Sequence, residues 1–139
     1  MSGKALSDSE RVAIENSVKA VIDDVLSAAE RVDMDGIVRH YADVPWASVM
    51  NVGYFYPSIK AFESAFRAGF SQMTRQSIKP EETRICVLSP DAAFVAMYGN
   101  TNSVGQDGGI GGGHFCLTLV LTSVDGKWRI VHAHQSFVR

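Results

Sequence analysis

The N-terminal third of the chain alternates apolar and polar residues with the period of an α-helix. Ser7 and Glu10 have the spacing of a capping box, in which their side chains bond the free N–H groups of the first helical turn. Asp33 can cap a shorter second helix, and Pro45 prevents that helix from continuing. The stripe of the first helix recurs at three- and four-residue steps and contains Ile14, Val18, Val21, Ile22, Val25 and Ala29.

The middle of the chain predicts two short strands and a third helix. The strand candidates are Ala47–Val52 and Tyr54–Tyr56, divided by Gly53. Pro57 and Ser58 open a helix whose apolar stripe returns at helical spacing. A stripe this rich in phenylalanine is first of all a core-facing surface; its members are Ile59, Phe62, Phe66, Phe70 and Met73.

From Gln76 onward the apolar residues recur at every second position, as they do in strands. Breaks fall at Pro90-Asp91, in the glycine-rich stretch 105–113 and at Asp125-Gly126. Helices come first and antiparallel strands last, which predicts an α+β fold with the helices covering one face of the sheet. The strand candidates are Arg84–Ser89, Ala92–Asn102, His114–Ser123 and Trp128–Val138.

Composition narrows the class of protein. The chain has 139 residues, 13 Lys and Arg against 15 Asp and Glu, and a formal charge of −2, which argues against a general nucleic-acid binder. No apolar run has the ~18 residues of a membrane span, and the N-terminus does not resemble a signal peptide. Cys86 and Cys116 form no CxxC pair. We expect a single cytoplasmic domain that contacts neither nucleic acid nor membrane.

The chain resembles the nuclear transport factor 2-like superfamily, in its SnoaL-like and ketosteroid-isomerase-like branch. The resemblance lies in the order of the predicted elements and in the segments Arg39–Asp43 and Asp125–Ser136. The second segment also resembles the closing hairpin of the association domain of calcium/calmodulin-dependent kinase. The resemblance extends over nearly all of residues 1–139. It implies three N-terminal helices on a strongly curved, mainly antiparallel sheet, a cone with a pocket at its open end, and dimerisation through the convex face.

The last two strands indicate which face points to the pocket. Leu117, Leu119 and Leu121 form the more apolar face of the first strand, and Val131, Ala133 and Gln135 that of the second.

Register decides which of those residues meet. A two-residue turn at Asp125-Gly126 would place Leu119 opposite His132, whereas a three-residue loop with Gly126 in a bulge places Leu119 opposite Ala133. The hydrophobic pattern favours the bulged loop. This arrangement puts Trp128, Ile130, His132 and His134 on the outer face.

Three histidines raise the question of a metal. His132 and His134 share one strand face, and His114 has matching parity on the neighbouring strand, so three imidazoles could hold zinc. The alternative is that they hydrogen-bond across a dimer interface, and because the pairing puts them outside we expect no metal. The dimer-face candidates are His114, Thr118, His132, His134 and Ser136.

The resemblance also bears on catalysis. In ketosteroid isomerase the base is an aspartate on the strand after the second helix, and the matching position here is Asn51, whose amide cannot take a proton at neutral pH. The pocket arginines of the kinase domain would fall near Gly99, Leu119 and Gln135, and none is arginine here. The stretch 105–113 lacks the Lys-Ser/Thr of a phosphate loop and predicts a flexible hairpin connection near the pocket.

We therefore expect a homodimeric binding domain for a small apolar or amphipathic molecule, without a cofactor. Two other interpretations remain open: an isomerase, dehydratase or hydrolase acting on a polyketide- or steroid-like compound, and a dimerisation or interaction module with a collapsed pocket. The candidate pocket residues are Tyr41, Trp46, Asn51, Tyr54, Phe66, Phe70, Met97, Leu117, Leu119, Ala133 and Gln135.

Overall fold

Three helices and one curled, unclosed sheet make up the fold in the computed structural model, which describes residues 5–138. The sheet order is β2-β1-β6-β5-β4-β3, with β1 parallel to β6 and all other neighbours antiparallel. The predicted α+β class is confirmed. In chain order the elements are α1 (Asp8–Glu30), α2 (Met34–Val38), β1 (Ser48–Asn51), β2 (Tyr54–Tyr56), α3 (Ile59–Phe70), β3 (Met73–Ser89), β4 (Ala92–Gly105), β5 (Ile110–Val124) and β6 (Lys127–Val138).

Each helix begins at a side-chain cap. The capping box is confirmed, because Ser7 Oγ accepts from the Glu10 N–H at 3.1 Å and Glu10 Oε1 accepts from the Ser7 N–H at 3.2 Å. Asp33 caps α2 through the Gly36 N–H at 3.0 Å, and Ser58 caps α3 in the same way. The caps fix where each helix starts, and therefore where its apolar face meets the sheet.

Two predicted boundaries were wrong. The strand expected at Arg84–Ser89 begins at Met73, so Met73 belongs to β3 and not to the stripe of α3. The stretch 105–113 is not one flexible connection, because β4 continues to Gly105 and β5 already starts at Ile110. The hairpins of the sheet are therefore longer than predicted, and they extend the face of the sheet that the helices cover.

The register of β5 and β6 was predicted correctly from the pair Val120 and His132 onward, but for the wrong reason. Leu119 pairs with Ala133, as expected. The turn is nevertheless the two-residue kind, with Asp125 (φ 51°) and Gly126 (φ 76°) in the left-handed region and Val124 pairing with Lys127. The extra residue is Val131, because Leu121 pairs with Ile130 while Val120 pairs with His132.

The bulge at Val131 also corrects the face of two side chains. Before the bulge, Ile130 lies opposite Leu121 and both are fully buried in the core under the helices. Trp128 packs against the same core, so neither Trp128 nor Ile130 is on the outer face. After the bulge the parity reverses, and Ala133 and the residues that alternate with it face the helices.

The core lies between the concave face of the sheet and the helices. Val18 and Ile22 from α1 and Phe62 from α3 meet Leu119 and Leu121 of β5 in one buried cluster. Burying a side chain of this size stabilises the fold by roughly 1.5–3 kcal/mol. None of the helices described between residues 5 and 138 combines the length and the apolarity that crossing a bilayer requires.

Candidate functional site

A cavity of about 570 Å³ lies between the helices and the concave face of the sheet. Residues from all three helices and from every strand line it. The cavity is the space at the open end of the curled sheet that the core side chains leave unfilled. Ile22 and Leu26 of α1 form one side, and Leu119 and Ala133 form the floor opposite them. A volume of this size lies within the range of pockets that take small organic molecules.

The wall of the cavity carries no formal charge. Among its lining residues, within the described part of the chain, there is no Asp, Glu, Lys, Arg or His. Most of the surface is aliphatic or aromatic, and it includes the edge-to-face and tilted rings of Tyr56, Phe62, Phe66 and Phe70, whose neighbouring centroids are 4.3–6.4 Å apart. The site therefore suits a neutral, largely apolar molecule.

Two amide side chains interrupt this apolar wall. Asn51 of β1 pairs with Gln135 of β6 in the parallel ladder, and both lie on the cavity wall. The Oδ1 atom of Asn51 is screened from solvent and accepts no hydrogen bond from residues 5–138. Buried polar atoms without a partner are uncommon in folded proteins, so the atom is a candidate contact for a bound molecule.

Tyr41 contributes a hydroxyl group that stays protonated. Its ring packs 5.3 Å from that of Phe62, centroid to centroid, on the cavity wall. Burial raises the pKa of the Tyr41 hydroxyl well above its ordinary value, because the surroundings disfavour the phenolate. At neutral pH Tyr41 can donate or accept a hydrogen bond, but it cannot act as a base.

Tyr54 lies at the rim of the cavity. Its side chain is 70% exposed, and its ring stacks on that of Tyr56 with centroids 6.5 Å apart. The turn that precedes it, Val52 and Gly53, has both residues in the left-handed region. This hairpin therefore places an exposed aromatic ring at the border between the cavity and solvent.

The structure brings most of the predicted pocket residues onto this wall. Trp46 is an exception, because it lies in a turn before β1, is 64% exposed and does not line the cavity. Met97 is the other, because it is only 4% exposed and its side chain is enclosed in the core. The predicted residues that do line the cavity are Tyr41, Asn51, Tyr54, Phe66, Phe70, Leu117, Leu119, Ala133 and Gln135.

Some lining residues were missed. Phe115 and Phe137 share the inward parity of Leu117 and Gln135, so the alternation of the two strands already placed them on this face. Thr101 lies inside the predicted strand Ala92–Asn102 and shares the parity of Met97, so the alternation could have found it. Gln76 and Ser103 had no comparable signal, because they lie in parts of β3 and β4 beyond the predicted strands. They add neutral polar groups at one end of the wall.

The histidines of the sheet lie outside the cavity. His132 Nδ1 is 2.9 Å from Ser48 Oγ, and His134 is exposed opposite Thr118. His114 is four residues from Thr118 along β5, which is about 13 Å at ~3.3 Å per residue, so the three imidazoles do not converge. Between residues 5 and 138 no group of three or more His, Cys, Asp or Glu side chains is placed to hold a metal ion.

A second depression, of about 590 Å³, lies on the surface between α1 and the start of β6. It is wide open to solvent and includes the charged side chains of Arg39, Lys127 and Arg129. The Arg39 guanidinium is paired with Asp24, and Arg129 donates to the Arg39 carbonyl. The cavity between the helices and the sheet, with its unpaired amide oxygen, is the better candidate for a site.

Comparison with known proteins agrees with this geometry. The profile of the SnoaL-like domain family matches residues 18–139. No curated protein shows significant sequence similarity to the chain.

Solved structures share the fold at low sequence identity. An NTF2-like superfamily protein from Salmonella enterica superposes with a TM-score of 0.84 at 16% identity, covering 93% of this chain and 94% of its own. A candidate scytalone dehydratase from Novosphingobium aromaticivorans gives 0.84 at 10% identity, covering 96% and 89%. A ketosteroid isomerase-like protein from Erwinia carotovora gives 0.74 at 17% identity, covering 89% and 95%. These likenesses confirm the predicted fold, and they do not transfer an activity.

Proposed function

The chain belongs to the SnoaL-like domain family, and we propose that it binds a small, neutral, mainly apolar molecule in the cavity between its helices and its sheet. The observation that carries the proposal is the uncharged wall. Thirty residues from all the helices and strands line the space, and the polar side chains among them are neutral amides and hydroxyls. An apolar pocket with a few placed polar groups is the usual composition of a site for an organic ligand.

The enzymatic alternative has less support. One of the similar structures is called ketosteroid isomerase-like, and general acid–base catalysis would require a group in the cavity that can take up a proton near neutral pH. The described lining offers no carboxylate and no imidazole, and the pKa of its Tyr41 hydroxyl is raised. Asn51, the position that the resemblance to ketosteroid isomerase matches to the base, carries an amide that cannot take up a proton at neutral pH. These features favour binding over isomerase-type chemistry.

We also propose that two copies associate through the outer face of the sheet. One row across this face runs from Phe55 through Met50 and His134 to Thr118, each pairing with the next, and all four are exposed. These four positions hold no Asp, Glu, Lys or Arg, and apolar side chains stand beside polar ones, so a second copy seated on them would bring no carboxylate or Lys/Arg pair together. An isologous pair buries the same patch on both chains.

A reducing compartment such as the cytoplasm is consistent with this proposal. Cys86 and Cys116 are both unpaired, and Cys116 is exposed. Exposed free thiols persist where disulfides are kept reduced.

The experiment that tests the binding proposal compares two fluorescent probes. N-phenylnaphthylamine is neutral and anilinonaphthalene sulfonate is anionic, and both report transfer into an apolar site. We expect the neutral probe to bind at a stoichiometry of one per chain and to be displaced by neutral aromatic compounds. The anionic probe should bind less tightly, because no cation in the lining compensates its sulfonate. Tighter binding of the anionic probe would contradict the proposal.

A matched pair of variants locates the probe. Gly69 of α3 lines the cavity, and a Cβ added there meets no atom within 4 Å, so Gly69→Leu fills open space at the wall without a clash. Ala68 is its exposed neighbour and does not line the cavity. Gly69→Leu should weaken binding of the neutral probe, and Ala68→Leu should not. Equal affinities in the two variants would place the probe elsewhere.

A further inference from the structure

Asn51 Oδ1 is the one buried side-chain nitrogen or oxygen between residues 5 and 138 that lacks a hydrogen-bond partner. The atom belongs to a cavity-lining residue in the last position of β1, and its strand neighbour Gln135 also lines the cavity. A carbonyl oxygen withdrawn from water gives up its solvent hydrogen bonds, and nothing in this part of the fold replaces them.

The chemistry of Asn51 Oδ1 determines which group of a ligand can bond to it. An amide oxygen accepts hydrogen bonds and cannot donate, so a ketone, ether or carboxylate brought to it leaves two acceptors facing each other. A cation would satisfy the oxygen, but the described lining holds no carboxylate to compensate a positive charge. A neutral O–H or N–H remains, and the Gln135 amide beside Asn51 offers both a donor and an acceptor to the same ligand group.

We propose that the natural ligand carries a neutral hydrogen-bond donor, a hydroxyl or an N–H, at the end of its apolar skeleton that contacts Asn51, and that Asn51 Oδ1 accepts its hydrogen bond. This inference rests on the proposed function, since it names the polar end of the molecule that the cavity takes. In this structure the oxygen has almost no accessible surface. Because a terminal amide torsion is broad, rotation of the Asn51 amide on ligand binding turns the oxygen toward the bound group. The pair Asn51 and Gln135 then selects among molecules of similar size and apolarity.

Two ligands that differ in one hydrogen test the inference. β-Naphthol and its methyl ether share a ring system and an oxygen, but only the naphthol can donate. We expect the wild-type protein to bind the naphthol about fivefold more tightly than the ether, the preference of one net hydrogen bond. Asn51→Leu removes the acceptor at similar volume and should bind the two with equal affinity. Titration calorimetry or displacement of N-phenylnaphthylamine measures both affinities.

Control variants separate this effect from general damage. Asn16 is an exposed asparagine on α1, and Asn16→Leu makes the same chemical change away from the cavity, so it should keep the wild-type preference. Asn51→Asp keeps a hydrogen-bond acceptor at the position and should also retain the preference for the naphthol. This variant keeps the inference testable if Asn51→Leu does not fold.

The outcomes distinguish this inference from the proposed function. Equal binding of the naphthol and the ether by the wild-type protein, or a preference that persists in Asn51→Leu, overturns the inference and leaves binding in the cavity intact. A wild-type protein that binds neither compound and does not bind the neutral probe contradicts the proposed function itself.

Discussion

Asn51 lies directly across the parallel β1–β6 ladder from Gln135, so two amide side chains stand next to each other on an otherwise apolar cavity wall. The relationship depends on the extra residue at Val131, because the bulge sets which residues of β6 face inward. Without the bulge the side chain of His134 would face the cavity, and the cavity would contain an imidazole. One inserted residue therefore gives the site its neutral character.

The unpaired oxygen of Asn51 should weaken the fold. We expect Asn51→Leu to raise the free energy of unfolding by about 1 kcal/mol, because it removes a buried acceptor without a partner and adds apolar contact. Urea unfolding followed by circular dichroism measures the change, with Asn16→Leu as the exposed control. A large loss of stability in Asn51→Leu would show that the amide has a structural partner.

Gly36 should not tolerate even a methyl group. A Cβ at this position would lie 2.6 Å from Asp33 Oδ2 and 2.9 Å from Ala28 Cβ, so Gly36→Ala disturbs both the cap of α2 and its contact with α1. We expect it to destabilise the protein by about 1–3 kcal/mol. Gly69→Ala is the matched control, since its added Cβ meets nothing within 4 Å. That change should stabilise the helix by up to about 1 kcal/mol in the same urea titration.

Tyr41 should make stability fall in alkali. The pKa of the Tyr41 hydroxyl is raised in the folded protein. Its contribution to the free energy of unfolding is therefore complete below the pKa of tyrosine in the unfolded chain, and it is lost as pH rises toward the pKa in the folded protein. Between about pH 9 and about pH 11 the wild-type protein should lose more stability than Tyr41→Phe. In an ultraviolet titration of the phenolate, the component at highest pH should vanish in Tyr41→Phe and persist in Tyr98→Phe. Its persistence in Tyr41→Phe would assign it to another residue.

Asp24 should make the stability of the protein fall in acid. Its carboxylate accepts from His40 Nε2 and from Arg39, which ties the segment after α2 to α1, and the His40 bond followed by the Arg39 bond lowers the pKa of Asp24. The stabilisation is therefore present above about pH 4 and is lost as pH falls through the lowered value. Asp24→Asn should melt below the wild type at neutral pH, with the difference closing in acid.

The neighbouring carboxylate provides the control for that measurement. Asp23 pairs with Lys19 of the same helix, and both side chains are well exposed. Asp23→Asn should leave the melting temperature nearly unchanged, since exposed pairs of this kind contribute little. Equal effects of the two substitutions would mean that the Asp24 contacts do not stabilise the fold.

The proposed dimer can be tested on its central strand. Light scattering of the wild-type protein should give about twice the 15.1 kDa of one chain. Thr118→Arg places a charge in the middle of the outer face, where two copies would bring it close to its own image, and should yield monomers. Val12→Arg makes a comparable change on exposed α1 and should leave the mass unchanged. A monomeric wild type at high concentration argues directly against the interface.

The sequence predicted the elements whose residues experience two different environments. The alternation of Leu117, Leu119 and Ala133 correctly placed the inward face, because one side of β5 and β6 is buried and the other is not. The first half of β3 lies at the edge of the sheet and its burial does not alternate, so no strand was predicted before Arg84 although the change of period was placed at Gln76. The bulge at Val131 could not be placed either, because Asp125-Gly126 suits both a two-residue turn and a bulged loop.

The candidate site was predictable to the same extent. The predicted side chains of α3, β5 and β6 lie on the cavity wall, whereas the positions of Trp46 and of Met97 in β4 depended on packing that no pattern expresses. A turn before β1 leaves Trp46 in solvent, and the core encloses Met97. The unpaired state of Asn51 is likewise a property of the folded surroundings and not of its position in the sequence.

Nuclear Overhauser effects from bound β-naphthol to assigned methyl groups show whether a neutral molecule occupies the cavity. Leu119 and Ala133 face the cavity, whereas Thr118 and Val120 alternate with Leu119 along β5 and point to the other side of the sheet. We predict effects to the methyl groups of Leu119 and Ala133 that weaken in Gly69→Leu. Effects confined to Thr118 and Val120 would place the molecule on the outer face and contradict binding in the cavity.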